Sequence, residues 1–145
     1  MTQTLGADLL SVVARINRLA TQRARLPLPY AQARLLSTIE DQGATRISDL
    51  AALDHCSQPT MTTQVRRLED AGLVSRTVDP ADARAVLIRI TPKGVETLRQ
   101  VRLDRGAAVD PYLERLDAAD RQTLSEAVRV LRDLLADAAS PSTAK

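Results

Sequence analysis

The apolar residues of this chain change their spacing once, and this change constrains the fold more than any other feature. One segment carries them at the i, i+4, i+7 spacing of a helix face, at Met61, Val65 and Leu68. Residues 73–78 and 86–91 instead alternate and include several β-branched side chains, which predicts two strands joined by the turn residues 79–82. A shorter helical segment around Leu50 precedes them. Two helices followed directly by a hairpin form the pattern of a winged helix-turn-helix.

The two central helices carry their own start and stop signals. Ser48 is predicted to cap the first short helix, and Ser57 the second, which has Pro59 in its first turn. Residues 54–56 form the predicted turn between them, and Ala71–Gly72 ends the second helix.

Longer helices flank this central module. Apolar residues at helical spacing predict an amphipathic helix over residues 4–25, and a second helix runs from about Pro29 to a left-handed C-cap at Gly43. Thr91–Pro92 opens a long helix, which Asp110–Pro111 is expected to kink or break. A last helix starts after Asp117. The predicted fold class is therefore mainly α with a small β-hairpin wing.

Composition excludes several functions. The chain has no Trp and no Phe, and its only aromatic residues are Tyr30 and Tyr112, so we expect an aliphatic core and no stacking platform for single-stranded nucleic acid. One Cys and one His rule out an internal disulfide and argue against a structural zinc site. No acid–base pair or nucleophile stands out, so we expect no enzyme, no cofactor and no metal.

Charge and hydropathy favour a soluble protein of the cytoplasm. The formal net charge is +2, which permits nucleic-acid binding without indicating it. No stretch approaches the ~20 apolar residues of a membrane span, and no targeting segment is recognised. Cys56 directly precedes a helix start, a position at which reactive thiols occur, so it is either a redox switch or a small half-buried filler.

Three stretches in a fixed order resemble the MarR-type winged-helix regulators. They are the recognition-helix exit Leu68–Arg76, the Asp-x-Arg wing tip within Asp79–Ala85, and the Ile90–Gly94 entry to a long helix. The resemblance covers about residues 5–138. It implies a homodimer of a single domain over residues 1–145, with a DNA-binding lobe at about 29–94. Dimerisation helices are expected at about 4–25 and 92–138, and a frayed tail at 139–145.

The outer face of the second central helix is the predicted reader of DNA. The apolar stripe that contains Met61 is expected to face the core. Polar side chains near the helix start then face away from the core, where they can reach base edges in the major groove. Gln58 can pair with adenine, Arg66 with guanine or phosphate, and the threonine methyls with thymine. The predicted contacts on this helix are Ser57, Gln58, Pro59, Thr60, Thr62, Thr63, Arg66 and Arg67.

The hairpin adds further candidates. Arg84 is predicted at the wing tip, from which it can enter the narrow, negative minor groove. Asp82 is expected to brace Arg84 or to cap the turn. Arg76, Arg89 and Arg46 are candidate phosphate contacts, with ordinary surface ion pairing as the alternative.

The family resemblance also implies a site for a small, often aromatic or phenolic, anionic effector between the dimer lobe and the DNA-binding lobe. The candidate residues are Arg15, Arg18, Tyr30, Arg34 and Tyr112, each of which is open to a purely structural role.

The sequence thus predicts a homodimeric, sequence-specific regulator that binds a pseudo-palindromic operator in double-stranded DNA, and more specifically a repressor released by a small molecule. Two alternatives remain: a winged helix used as a protein-interaction module, and an architectural DNA-binding protein with little sequence preference.

Overall fold

The computed structural model describes residues 2–140, and its elements follow the predicted order closely. The helices and strands are α1 (Leu5–Arg23), α2 (Tyr30–Gln42), β1 (Thr45–Arg46), α3 (Ile47–Leu53), α4 (Gln58–Asp70), β2 (Val74–Asp79), β3 (Asp82–Ile90), α5 (Pro92–Leu113) and α6 (Ala118–Ala139). This architecture is mainly α with a small antiparallel sheet, as expected. The described residues divide into two compact units, one ending at Ala108 and the other beginning at Val109.

Side-chain caps fix where most of the helices begin. The Thr4 hydroxyl accepts from the Ala7 amide at 3.2 Å, and the Thr91 hydroxyl accepts from the Gly94 amide at 3.1 Å. Asp117 caps α6 by accepting from the Asp120 amide at 2.8 Å. Each cap satisfies one of the backbone N–H groups that a helix start leaves without a partner. The predicted starts after Thr91 and Asp117 are confirmed.

The core of the first unit is aliphatic, as the composition predicts. Its fully buried side chains come from α2, α3, α4 and β3, and the largest are Leu36, Ile39, Leu50, Met61, Leu68 and Ile88. The predicted inward stripe of α4 is confirmed, because Met61, Val65 and Leu68 are all completely buried. Burial of one such side chain contributes roughly 1.5–3 kcal/mol, so this stripe fixes which face of α4 stays in solvent.

The sheet contains a third strand that the sequence did not reveal. Its order is β1-β3-β2, and Thr45 and Arg46 pair antiparallel with Ile88 and Leu87. A strand of two residues is too short to show an alternating pattern, so its pairing comes from tertiary packing alone. The wing, defined here as residues 74–90, is thereby attached to the chain segment between α2 and α3.

The Ser48 cap was predicted wrongly, and two other local predictions hold only in part. Ser48 lies inside α3, which begins at Ile47 after Arg46, because pairing in β1 sets the start of this helix one residue before the predicted cap. Gly43 has the expected positive φ of 69°, but its ψ of −141° is not that of a left-handed helical cap. Asp110–Pro111 was expected to kink or break the long helix, and it does not break α5, which continues through Pro111 to Leu113.

The second unit contains the end of α5 and the whole of α6. The Arg121 guanidinium donates to the Glu114 carbonyl at 2.9 Å, and the Arg115 guanidinium lies 5.7 Å from the ring centre of Tyr112. None of the residues of α6 is buried. The predicted tail over 139–145 falls, from residue 141 onward, outside the described residues. Within residues 2–140, no helix combines the length and apolar character needed to cross a membrane.

Candidate nucleic-acid interface

The turn between α3 and α4 is formed by the C-terminal end of α3. The Cys56 amide donates to the Ala51 carbonyl at 3.0 Å, and the His55 amide donates to the Ala52 carbonyl at 3.3 Å. This is the bonding pattern of a Schellman motif, which needs one residue of positive φ, here His55 at 52°. Cys56 packs half-buried against the core, in agreement with its interpretation as a small filler.

Ser57 then fixes the start of α4. Its hydroxyl accepts from the Thr60 amide at 3.3 Å and donates to the Thr60 hydroxyl at 2.9 Å, so the predicted cap is confirmed. The Thr63 hydroxyl donates to the Pro59 carbonyl at 3.1 Å. Because this hydroxyl is already bonded to the backbone, the methyl group of Thr63 is its chemically available part for a partner.

The predicted DNA-facing residues of α4 lie on one exposed surface. Thr62 is half-buried, and the exposed members are Ser57, Gln58, Pro59, Thr60, Thr63, Arg66 and Arg67. Within residues 2–140 the side chains of Gln58 and Thr62 make no hydrogen bond, which leaves the Gln58 amide available to a partner. We call the outer face of α4 together with the wing tip, residues 79–84, the polar surface.

The arginines near the polar surface fall into two groups. Arg66, Arg67, Arg84 and Arg89 are exposed and take part in no ion pair within the described part of the chain. Arg76 and Arg46 are engaged instead: Arg76 pairs with Glu69 of α4, and Arg46 with Asp79 at 2.8 Å. Of the predicted cationic contacts, the first group is therefore free to meet phosphate, whereas each member of the second already has a carboxylate partner.

The wing tip lies beyond the regular ladder of the hairpin. Val78 pairs with Val86 and Asp79 with Asp82, so residues 83–85 have no partner in the register. Arg84 thus sits in β3, three residues after Ala81 of the two-residue turn rather than at its apex, and it is exposed. Asp82 contacts it through the backbone, because the Asp82 carboxylate accepts from the Arg84 amide at 3.0 Å.

The Asp79 carboxylate is the most buried member of any ion pair among residues 2–140, at 14% exposure. The hydrogen bond from Arg46 holds the pKa of Asp79 below its ordinary value, and the Ala81 amide acts in the same direction. The same bond raises the pKa of Arg46. Both groups are therefore charged at neutral pH.

A cavity of about 170 Å³ opens between α1, α2 and α5 of the first unit, away from the polar surface residues. Tyr30 and Arg34 line it, as do Asn17, Arg102 and Arg105. The Arg105 guanidinium lies 4.8 Å from the ring centre of Tyr30, and the Asn17 amide donates to the Tyr30 hydroxyl at 3.1 Å. Arg34 also pairs with Asp54 of the helix-turn-helix turn at 2.9 Å.

The structure brings together only some of the predicted effector residues. Arg15 and Arg18 are exposed on α1 and do not line the cavity. Tyr112 belongs to the second unit. Asn17, Arg102 and Arg105 were missed, because a polar residue on an amphipathic helix gives no sign of which neighbour it will meet. Among the described residues, no group of three His, Cys, Asp or Glu side chains is placed to hold a metal.

Comparisons with known proteins agree with this geometry. The MarR family model matches residues 28–86. The HTH-type transcriptional regulator FarR of Neisseria gonorrhoeae is 32% identical over 108 residues, which cover 74% of this chain and 69% of FarR. An uncharacterised HTH-type transcriptional regulator of Mycobacterium bovis is 29% identical over 132 residues, 90% of this chain and 92% of that protein.

Solved structures share the fold. The transcriptional regulator Tm0710 of Thermotoga maritima matches with a TM-score of 0.71 at 25% identity. The match covers 93% of this chain and 99% of the Tm0710 chain. A mutant MarR of E. coli complexed with operator DNA matches with a TM-score of 0.59 at 24% identity. The match covers 88% of this chain and 92% of the MarR chain. The winged helix, the family match and the identity to FarR together establish that this chain belongs to the MarR family of helix-turn-helix transcriptional regulators.

Proposed function

We propose that this chain is a sequence-specific repressor that binds a pseudo-palindromic operator in double-stranded DNA as a homodimer. The observation that carries this proposal is the polar surface, where an exposed, capped helix start lies in one unit with a wing whose Arg84 has no ion-pair partner among the described residues. Because its target is chromosomal DNA, we place its action in the cytoplasm, and we assign it no catalytic step.

The chemistry of α4 fits the major groove. Arg66 and Arg67 are free of carboxylate partners within the described residues, so a guanine edge or a phosphate does not have to displace one. The Gln58 amide presents a donor and an acceptor, the pair that adenine requires. The amides at the start of α4 favour a phosphate through the helix dipole.

The wing supplies the second contact. An exposed guanidinium on a narrow loop suits the minor groove, whose negative potential rises where the groove is narrow. Arg84 satisfies both requirements, because it is exposed and lies in the unpaired part of the wing tip.

Exposed apolar surface on two helices supports the homodimer. On α6 the apolar residues Leu124, Val128, Leu131 and Leu135 follow one helical stripe, and none is buried. On α1, Leu5, Leu10, Val12, Val13 and Ile16 are exposed. Exposed apolar residues that share one helix face, as on α6, are typical of an interface, and a two-fold axis would set two recognition helices about 34–36 Å apart, one turn of DNA.

The cavity beside Tyr30 is our candidate for the effector site. A cavity of about 150 Å³ accommodates a single aromatic ring such as benzene, and this one measures about 170 Å³. Arg105 stacks on Tyr30 and donates hydrogen bonds to Thr21 and Asn17, but it has no carboxylate partner among the described residues, so its charge is open to an anionic group. Arg34 connects the same cavity to Asp54, which gives a bound anion a route to the helix-turn-helix turn. We therefore propose a small aromatic or phenolic anion that releases the repressor from DNA.

The test is selection of duplexes from a random-sequence pool at roughly physiological salt, run in parallel with wild type and with Arg84→Ala. We expect wild type to enrich a pseudo-palindrome with half-sites about 10 base pairs apart. Arg84→Ala should bind the same sequence more weakly, with a shallower dependence of affinity on salt.

The other outcomes separate the alternatives. Binding without enrichment would identify an architectural protein of low specificity. An absence of binding by wild-type protein that is folded and free of bound small molecules would contradict the proposal and favour a protein-interaction module. Gln122→Ala, on an exposed face of α6, is the control and should leave affinity unchanged.

A further inference from the structure

The wing tip is connected to the first strand of the sheet by one ion pair. Arg46 of β1 donates from Nη2 to Asp79 Oδ2 at 2.8 Å, across 33 residues of sequence. The Asp79 side chain is 14% exposed and that of Arg46 is 43% exposed, so solvent screens this pair less than the helix-surface pair Arg99–Glu96, whose side chains are both more than half exposed. The pair therefore has a defined geometry.

The contacts continue from Asp79 to Arg84. The second oxygen of Asp79, Oδ1, accepts from the Ala81 amide at 2.9 Å and so shapes the turn. Asp82 comes directly after that turn, opposite Asp79 in the register, and its Oδ1 accepts from the Arg84 amide at 3.0 Å. Two aspartates thus hold the backbone from the turn to Arg84.

These contacts matter because the strand ladder is interrupted within the tip. The register is irregular between Val78 and Asp79, and residues 83–85 have no partner on β2. Without ladder bonds, side-chain contacts must define the path of the backbone through this segment.

We propose that Arg46 and Asp79 are positioning residues that hold the wing tip so that Arg84 is presented to DNA. This inference rests on the proposed function, since it concerns the same wing. It replaces the expectation that Arg46 contacts a phosphate: its guanidinium is already engaged by the least exposed carboxylate of the ion pairs in the described chain.

The two roles of Arg46 predict opposite effects of one substitution. Asp79→Asn removes a negative charge and frees Arg46. If Arg46 bound phosphate, this change would strengthen DNA binding, because a polyanion is attracted more strongly. If the pair positions the wing, Asp79→Asn weakens binding despite the added positive charge. We expect a roughly two- to fivefold weaker affinity, the size of a single modest ion-pair contribution.

The experiment measures affinity for the duplex enriched by wild type, using wild type, Asp79→Asn, Arg46→Gln, Arg84→Ala and the two double variants with Arg84→Ala. We expect Asp79→Asn and Arg46→Gln each to weaken binding, and to cause little further loss once Arg84 is absent, because both act through Arg84. Glu96→Gln, which makes the same charge change in the Arg99 pair on α5, is the control and should not weaken binding.

Hydrogen exchange of the wing amides gives a second readout that requires no DNA. We expect the Ala81 and Arg84 amides to exchange faster in Asp79→Asn than in wild type, while amides of the α4 core stripe keep their protection. Tighter DNA binding by Asp79→Asn, additive losses with Arg84→Ala, or unchanged wing exchange would each overturn the inference. A failure of wild type to bind any duplex would instead contradict the proposed function, and the exchange measurement would still decide the role of the pair in shaping the wing.

Discussion

Single residues join the end of α4 to the start of α5. The Thr91 hydroxyl donates to the Gly72 carbonyl at 2.6 Å, the Thr91 amide to the Leu73 carbonyl at 3.0 Å, and Lys93 Nζ to the Ala71 carbonyl at 2.9 Å. These carbonyls lie at and just beyond the end of α4. The last carbonyls of a helix have no hydrogen-bond partner within the helix itself. Two of the three stretches that carry the family resemblance therefore meet at one junction, which joins the end of α4 to the start of α5.

Gly94 is the residue on which this junction depends. A Cβ placed there would overlap the Leu73 carbonyl oxygen and lie 2.7 Å from Ile90 Cγ1. The carbonyl is backbone and already accepts from Thr91, so it has little freedom to move aside. We expect Gly94→Ala to lower the free energy of unfolding by about 1–3 kcal/mol, the usual cost of overpacking, as measured by urea denaturation.

The control for this prediction is Gly106→Ala in the same helix. A Cβ at Gly106 meets nothing within 4 Å, so the substitution should raise the unfolding free energy by about 0.5–1 kcal/mol through helix propensity alone. Equal effects at the two glycines would show that contact with Leu73 and Ile90 does not decide the outcome.

At the scale of elements, the wing and β1 act together through the ion pair of Arg46 and Asp79. Since the hydrogen bond from Arg46 is the largest cause of the lowered pKa of Asp79, Arg46→Gln should raise that pKa toward its ordinary value of 3.8. A carboxyl whose pKa is lowered by folding stabilises the folded state at any pH above its ordinary pKa. This contribution is lost as the pH falls through the lowered pKa. Stabilities of wild type and Arg46→Gln should therefore differ at neutral pH and converge in acid.

Carbon NMR titration of the Asp79 carboxyl in the two proteins measures this shift. Glu96 serves as the internal reference, because its pKa is lowered by Arg99 and should not respond to Arg46→Gln. An Asp79 pKa that stays low in the variant would assign the shift to the Ala81 amide instead.

Elements with a regular period or a cap were predictable from the sequence, and elements set by distant contacts were not. Met61, Val65 and Leu68 placed α4 correctly, since three apolar residues on one face determine which side is buried. Strand β1 and the pairing of Arg46 with Asp79 depend on residues more than 30 positions apart, and no local pattern records them. The same limit on local patterns applies to the candidate site. The exposure of Arg84 could be predicted from its place near the hairpin tip, whereas the ion pair of Arg76 with Glu69 could not be predicted.

At the scale of the whole molecule, the apolar stripe of α6 is exposed surface that the proposed dimer would cover. Leu135 is 65% exposed and continues a row that includes Leu124, Val128 and Leu131. Val130 is similarly exposed at 52%, but at about 100° per residue it lies about 140° around the helix from Leu135. The two positions therefore offer a matched pair of apolar residues, one on the stripe and one off it.

We expect Leu135→Asp to convert a dimer into a monomer of 15.8 kDa, measured by sedimentation velocity at micromolar concentration. Each dimer would lose two leucines from its interface at roughly 1.5–3 kcal/mol apiece, which weakens association by about 10²- to 10⁴-fold. Val130→Asp introduces the same charge off the stripe and should leave the dimer intact, with helical content unchanged by circular dichroism in both variants. A wild-type chain that sediments as a monomer, or two variants that dissociate equally, would contradict the assignment of this stripe to the dimer interface. If the wild type is a monomer, each winged helix would have to meet its half-site alone, without the affinity that a linked second contact provides.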